Sequence, residues 1–342
     1  MLRLTPITRR RLDGFRRNRR GYWSFWIFAL LFVVSLGADF IANDRPLLVR
    51  YDGAFYTPIL TAYPETAFGG DFATEAEYSD PFVQDLIRQK GWIVWPLVPF
   101  RHDTVIRDLG RPAPSPPSAR NWLGTDSQAR DVLARMIHGY RISVAFGLVL
   151  TFFTSVIGIA AGAVQGYFGG LTDLLFQRFL EMWGSIPVLF LLIILSSLIV
   201  PGVASIFVIM LLFGWMSLVG VVRAEFLRAR NLDYVRAARG LGVGNLTLML
   251  RHMLPNAMVA TITFVPFITA GSVTTLTSLD FLGFGLPPGS PSLGELLLQG
   301  RNNPQSPWLG ISGFMVVAVM LTLLIFIGEA VRDAFDPRKA IT

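Results

Sequence analysis

The 342-residue chain contains no cysteine. That excludes a disulfide framework, a thiolate nucleophile and cysteine-ligated zinc or iron–sulfur centres. Its three histidines, His102, His138 and His252, lie far apart in sequence, which argues against a histidine metal site. Lysine is nearly absent. Lys90 and Lys339 are followed by Gly91 and Ala340, so G-x-x-x-x-G-K-[S/T] occurs nowhere and no P-loop holds ATP in this chain. Charge is scarce as well: 15% of residues are charged, against about a quarter in soluble domains. Hydrophobic residues make up 52% and the mean hydropathy is +0.51. Such a chain cannot cover itself with polar groups, so composition overrides the two or three soluble domains that length suggests and reads as a membrane protein.

A helical pass needs about 20 mostly apolar residues, and charge-free runs supply six. Gly21–Ala38 gives the first, within a segment 21–41. Trp23 and Trp26 near its start suit an interfacial anchor, and its length exceeds the apolar core of a signal peptide. Ile142–Thr172 holds a second pass ending near Val164, before a glycine-rich turn at Gly166–Gly170. Met182–Val222 holds two more, divided at Pro201–Gly202, a dipeptide that ends one helix and turns the chain. Met253–Leu279 and Trp308–Gly328 complete the set, so the core 142–330 carries five passes.

Arginine sets the expected orientation. Residues 1–20 carry eight arginines against Asp13, and the segment after the fourth pass carries Arg223, Arg228, Arg230, Arg236, Arg239 and Arg251 against Glu225 and Asp233. Six passes place both, with the tail 331–342, on one side, which the positive-inside rule makes the cytoplasm. Beside a span, the N-terminal arginines fix topology and attract anionic lipid rather than nucleic acid. The segment 42–141 then lies outside as a partly ordered insert. It ends in an amphipathic helix to Arg141, capped by Thr125-Asp126, and includes an irregular Pro112–Ser118 stretch.

The loop 225–256 is the most informative stretch. Arg236-Ala237-Ala238 opens a short helix with small side chains, Gly242 ends it, and a second amphipathic helix, Leu246–Leu254, leads to Pro255. This is a compact helix–turn–helix that another protein could approach closely; the bland alternative is an ordinary basic loop.

The spacing Arg236-Ala237-Ala238, Gly242, His252-x-Leu254-Pro255 resembles the "EAA" loop of ABC-importer permeases, with Arg236 and His252 replacing glutamate and isoleucine. Leu123-Gly124-Thr125-Asp126 with Arg130-Asp131-Val132-Leu133 resembles the L-G-T-D-x-x-G-R-D-V-L signature of the peptide-importer branch, with Ala129 in place of glycine. Ser278–Gly294 resembles that branch's external loop, with Asp280 and Leu293 as departures, and Glu329–Arg338 its tail. These motifs cover about residues 120–338 and identify the chain as similar to C-type permeases of dipeptide and oligopeptide ABC importers. The wording of Gly21–Tyr51 and the long insert resemble the YejE subgroup, linked to peptide and microcin C uptake.

The resemblance implies an all-α polytopic protein with six transmembrane helices, the type I importer permease fold and cytoplasmic termini. It implies a B-type permease partner, two cytoplasmic ATPases or one tandem ATPase, and a periplasmic peptide-binding protein. ATP and magnesium would reside on the ATPases, with no cofactor in this chain and no bond chemistry. The coupling residues would be Tyr234, Arg236, Ala237, Ala238, Gly240, Gly242, Arg251, Leu254 and Pro255.

Other features have quieter readings. Asp126 and Asp131 suit salt bridges or capping rather than acid–base work. Gly283, Gly285 and Gly289 do not match G-x-G-x-x-G. His252 suits packing or an interface, and Arg178–Glu181 a local i,i+3 pair. Thr269, Ser272 and Thr275 in the fifth pass suit either close packing or a pathway lining, and Pro266 a bend. A self-sufficient secondary transporter or channel is the rival reading. It would need ionisable groups within the spans, and the central stretches hold none.

Overall fold

A computed structural model describes residues 5–188, 190–191, 194–195, 202–287 and 289–335. Helix α1 (Pro6–Arg17) starts with Thr5 as N-cap and proline in its first turn. At Asn18 the backbone leaves the helical region (φ −77°, ψ 85°), and its side chain accepts from Gly21 N to cap α2 (Arg19–Leu36). A short turn, α3 (Ala38–Ile41), leads into the insert.

The insert holds a three-stranded antiparallel sheet, so the all-α expectation needs correction. Strands β1 (Leu48–Tyr51), β2 (Ala54–Tyr56) and β3 (Gly91–Val94) run in the order β2-β1-β3. Tyr51 pairs with Ala54, which leaves Asp52-Gly53, both at positive φ, as a two-residue turn. That dipeptide matches the twist of a hairpin. Val49 and Tyr51 point into a core with Phe68, Ala76, Tyr78, Val83 and Ile87, the last two from α4 (Pro81–Lys90). Phe68 is fully buried, with the rings of Tyr51, Tyr56 and Tyr78 at 5.8, 5.1 and 5.7 Å in edge-on geometry.

Helix α5 (Val132–Phe168) is the axis of the molecule. Its 37 residues extend about 55 Å, well beyond a hydrocarbon layer of roughly 30 Å. The expected amphipathic helix before the second pass is therefore the first turns of this one helix, because nothing between Val132 and Phe168 breaks the backbone. Its N-cap is Asp131, which accepts from Ala134 N at 2.8 Å, and not Thr125-Asp126. Asp126 and Asp131 consequently do not share a helix.

Gly169 and Gly170 at positive φ turn the chain into α6 (Gly170–Gly184). Part of the expected third pass, roughly 182–201, lies outside the described residues. Gly202 then caps α7 (Val203–Gly214), which continues through Trp215 into α8 (Met216–Ala229). Next come α9 (Asp233–Gly240), a single turn at Asn245–Thr247, a π-helical stretch at Leu248–Met253, and α10 (Leu254–Phe281). Helices α11 (Leu293–Asn302) and α12 (Pro307–Phe335) close the fold.

Among the described residues, four segments are long and apolar enough to cross a membrane: Val132–Phe168, Val203–Ala229, Asn245–Phe281 and Pro307–Phe335. They coincide with the second, fourth, fifth and sixth expected passes. The first corresponds to α2, which opens on two arginines and packs along α12. A side chain at Gly21 would collide with Ala330 Cβ and lie 2.7 Å from Phe326 O, so glycine sets that approach.

The expected separate helix Leu246–Leu254 is also corrected. The chain runs continuously from Asn245 into α10, with the π-helix just before Pro255. Proline cannot donate to the carbonyl four residues back and its ring crowds that group. The wider turn relieves this contact without ending the helix.

Bundle packing relies on small residues. Along α5, Gly158, Gly162 and Gly166 lie against the backbone of α8. Added β-carbons would fall 2.5, 2.7 and 2.6 Å from the carbonyl oxygens of Trp215, Val219 and Arg223. Where lipid replaces water, helices associate through such close approach rather than through a hydrophobic driving force. Behind it, Phe28, Val144, Val273, Leu293, Met320 and Leu324 join α2, α5, α10, α11 and α12.

Candidate functional site

The loop between α8 and α10 is built on a small apolar platform. Val235 of α9 is fully buried and packs with Tyr167, Val222, Phe226, Leu248, Met249 and Met253. One side of α9 is thereby fixed to α5, α8 and the π-helix.

Its end is a Schellman cap. Gly242 has φ +82°, Gly242 N donates to Arg239 O at 3.0 Å, and Val243 N donates to Ala238 O at 3.1 Å. These are the paired 5→2 and 6→1 bonds of a left-handed helix terminus. Ala238 and Val243 both pack against the platform beneath. Asp233 in the first turn and Arg239 in the last complement the helix dipole.

Side chains brace the loop from below. Tyr167 Oη donates to Asn245 Oδ1 at 2.6 Å, and the Arg239 guanidinium lies 5.2 Å from the Tyr167 ring centre. Tyr234 Oη donates to His252 O at 3.3 Å and accepts from Asn256 Nδ2 at 2.9 Å. At the base, Arg223 holds Asp173 of α6 in a two-pronged ion pair at 2.5 and 2.6 Å. Those hydrogen bonds keep the Asp173 carboxyl below its ordinary range. Gly169 lies so close to Arg230 that a β-carbon would collide with its Nη1.

What remains uncovered is the outward side of α9. Arg236, Ala237, Gly240 and Gly242 are exposed, Leu241 is 85% exposed, and Ala238 is half-buried. A β-carbon at Gly240, Gly242 or Gly244 would meet nothing within 4 Å. Among the described residues no neighbouring atom requires Gly240 or Gly244 to be small, and Gly242 is needed for its left-handed backbone alone. Arg251 and Pro255 are exposed and Leu254 is half-buried against the platform. A cleft of about 570 Å³ opens beside Tyr234, between Glu225, Arg228, Asn256, Thr263 and Arg332.

The three fifth-pass positions separate. Thr269 is buried, donates its hydroxyl to Val265 O at 3.0 Å and packs at Gly147 of α5. Ser272 is buried too, whereas Thr275 is exposed, on the side that carries Gly271, Thr274 and Ser278.

At the opposite end of α5 is a polar cluster whose connections sequence spacing did not reveal. Arg130 Nε donates to Asp126 at 2.8 Å, and its guanidinium reaches Glu295 at 2.9 Å. Fully buried Arg135 donates to Glu295 at 2.7 Å and to Ser290 O at 2.8 Å. Gln299 donates to Glu295 at 2.9 Å and accepts from Ser127 N at 3.0 Å. This cluster fastens the 121–131 turn to α11. Nearby, Asp39 accepts from Arg141 at 2.7 Å and lies 3.3 Å from His138 Nε2, tying the end of α2–α3 to α5. The Arg178–Glu181 pair forms at 2.6 Å. Among the described residues no group of three or more histidines, cysteines and carboxylates is arranged to hold a metal.

The sequence also has relatives. The family described as binding-protein-dependent transport system inner membrane component matches residues 137–341. The inner membrane ABC transporter permease protein YejE of Escherichia coli K12 is 60% identical over 341 residues, covering 100% of both chains. The peptidoglycan transport system permease protein YejE of Agrobacterium fabrum is 56% identical over 359 residues, covering 98% of this chain and 94% of its own. The oligopeptide transport system permease protein OppC of Lactococcus lactis subsp. lactis is 34% identical over 224 residues, covering 64% and 76%. With a family match over most of its helical core and full-length similarity to two permeases, the chain belongs to the binding-protein-dependent transport system inner membrane components and is a multi-pass permease of an ABC transporter in the inner membrane.

Proposed function

We propose that this permease moves peptides inward as one half of a heteromeric pathway and that α9 is the element through which partner ATPases act on it. The observation that carries this reading is the outward side of α9. Ala237, Gly240 and Gly244 are exposed and small where the described residues leave room for larger groups, and the left-handed cap at Gly242, fixed on a buried platform, presents them. Small side chains unneeded for internal packing permit close approach by a second protein. Arg236 and Arg251 flank the surface with positive charge.

In this reading six helices cross the bilayer, residues 1–20 and 223–252 face the cytoplasm, and the insert faces the periplasm. The arginine excess of the first two segments supports that orientation. A B-type permease completes the pathway, a periplasmic binding protein delivers the peptide, and two ATPases or one tandem ATPase supply the energy. ATP and magnesium stay on those subunits. This chain contributes no catalysis and needs no cofactor of its own. Closure of the ATPases pushes on α9, and the platform passes the push to α5, α8 and α10. Peptide as cargo follows the names of the relatives and the motif resemblance, and Thr275 with its exposed neighbours is the stretch offered to the pathway.

Reconstitution tests the scheme. The purified chain in liposomes with labelled di- to hexapeptides, ATP and a proton gradient gives no uptake. Adding the B-type permease, ATPases and binding protein gives uptake that needs all of them. Concentrative uptake by the chain alone would instead identify a secondary transporter.

A further inference from the structure

Seven arginines lie in or beside α1, at positions 9, 10, 11, 16, 17, 19 and 20, and Asp13 is the only acid in residues 1–38. Arg9, Arg16, Arg17, Arg19 and Arg20 are exposed and form no ion pair among the described residues. Such a charge density next to a span asks for a counter-charge, and the helix packing shows at what depth.

Helix α1 is not a loose tail. The Arg11 guanidinium lies 4.5 Å from the centre of the Phe335 ring. Gly14 faces Ala334, and Asn18 Nδ2 donates to Asp333 at 3.4 Å. Residues 11–18 therefore run beside residues 333–335 of α12. The charge-free stretch of α12 ends at Gly328. At 1.5 Å per residue, positions 333–335 lie roughly 7–10 Å beyond it. A headgroup layer occupies about 5–8 Å on each side of the hydrocarbon, so α1 is held at the outer edge of that layer. Arg19 and Arg20, between the Asn18–Asp333 and Gly21–Ala330 contacts, lie within it.

Aromatic residues mark the same boundary. Phe15 meets the Tyr22 and Phe25 rings edge-on at 6.4 and 6.1 Å. Trp23 and Trp26 are 62% and 51% exposed, as expected of an interfacial belt. Phe25, Ile27 and Leu30 continue that exposed surface along α2. The arginine patch is thus continuous with a face turned toward acyl chains.

We infer that α1 and the first turn of α2 form a binding surface for anionic phospholipid headgroups, with Arg16, Arg17, Arg19 and Arg20 as the donors. A guanidinium matches a phosphodiester with two parallel hydrogen bonds and keeps its charge at any physiological pH. The lipid would set the depth of α1 and, through the close Gly21–Ala330 contact, the seating of α2 on α12. This inference needs the chain to span a membrane but does not depend on what it transports.

The test uses the full-length purified chain in detergent, offered equal amounts of phosphatidylglycerol and phosphatidylcholine, with retained lipid counted by native mass spectrometry. Each arginine near an anionic surface is worth roughly fivefold in partitioning. The double variant Arg16→Gln/Arg17→Gln should lower the phosphatidylglycerol preference roughly 5- to 25-fold, and Arg16→Lys/Arg17→Lys, which keeps the charge but loses the paired donors, should lower it less. Raising ionic strength should erode the wild-type preference as the charges are screened, a readout that needs no variant. Equal retention of the two lipids by the wild type, or an unchanged preference in the glutamine variant, overturns the inference. So does loss of the preference when the partner ATPases bind, which would make the patch a protein contact.

Discussion

Replacing Gly242 by valine should uncouple the transporter without unfolding it, and the structure says by how much. The residue sits at φ +82° with open space around it, so the added side chain clashes with nothing in this chain. What changes is the backbone. A non-glycine residue in the left-handed region costs roughly 1–2 kcal/mol, and a β-branched one lies at the upper end or beyond. If the cap opens, two hydrogen bonds at 3.0 and 3.1 Å are lost, each worth about 0.5–1.5 kcal/mol. A local penalty of about 2 kcal/mol shifts the cap equilibrium about 30-fold. The buried platform under Val235 is untouched, so global melting should change little. Peptide uptake and ATPase retention should be measured together in membranes, with hydrogen exchange over residues 233–243 reporting the cap. Gly242→Val should lose uptake and protection, whereas Gly242→Asn should keep most of both, because asparagine tolerates this conformation. Normal uptake in the valine variant, or equal failure of both variants, would refute the reasoning.

Three further outcomes are expected. Gly162→Leu drives a side chain into Val219 O and Val222 Cβ, at 2.7 and 2.8 Å from the β-carbon position; overpacking of about 1–3 kcal/mol should lower the melting temperature by several degrees, while Gly220→Ala, with nothing within 4 Å, should not. Burial pushes the His102 imidazole down to about 4, against about 6.5 unfolded. Between those values the unfolded chain binds the extra proton, so stability falls as pH drops, by at most about 1.4 kcal/mol per pH unit. His102→Gln should flatten that slope between pH 7 and pH 5 in thermal melts, and superimposable profiles would contradict it. Ala129 adopts φ +60°, at the position where the resembled signature has glycine, so Ala129→Gly should stabilise by up to about 1 kcal/mol; a lower melting temperature would show that the alanine makes an unrecognised contact.

Much of the site was legible because it depends on local rules. Gly242 ends a short helix in any context that needs a left-handed terminus, and Arg236-Ala237-Ala238 reads as a small-faced helix without knowledge of its neighbours. The hairpin was also written in the chain, since Asp52-Gly53 between Tyr51 and Ala54 is a strong two-residue turn signal. The apolar helical character of the rest of the chain outweighs so short a signal. The glycines at 158, 162 and 166, spaced by four, likewise carry a packing signal. Sequence could not say that α8 is the helix they receive.

Sequence by itself determined that the chain is a membrane protein and where most of its apolar passes fall, because lipid imposes length and polarity on each segment separately. It determined the glycine cap of α9 for the same reason, as a property of a few adjacent residues. Tertiary structure decided what depends on partners distant in sequence. Arg135 is a buried ligand of Glu295, 160 residues away, and Asp39 finds Arg141 and His138 across about 100 residues. Thr269 turns into the α5 contact while Thr275 does not. A single helical pattern fixes which residues share a face, but only the arrangement of neighbouring helices fixes which face is covered.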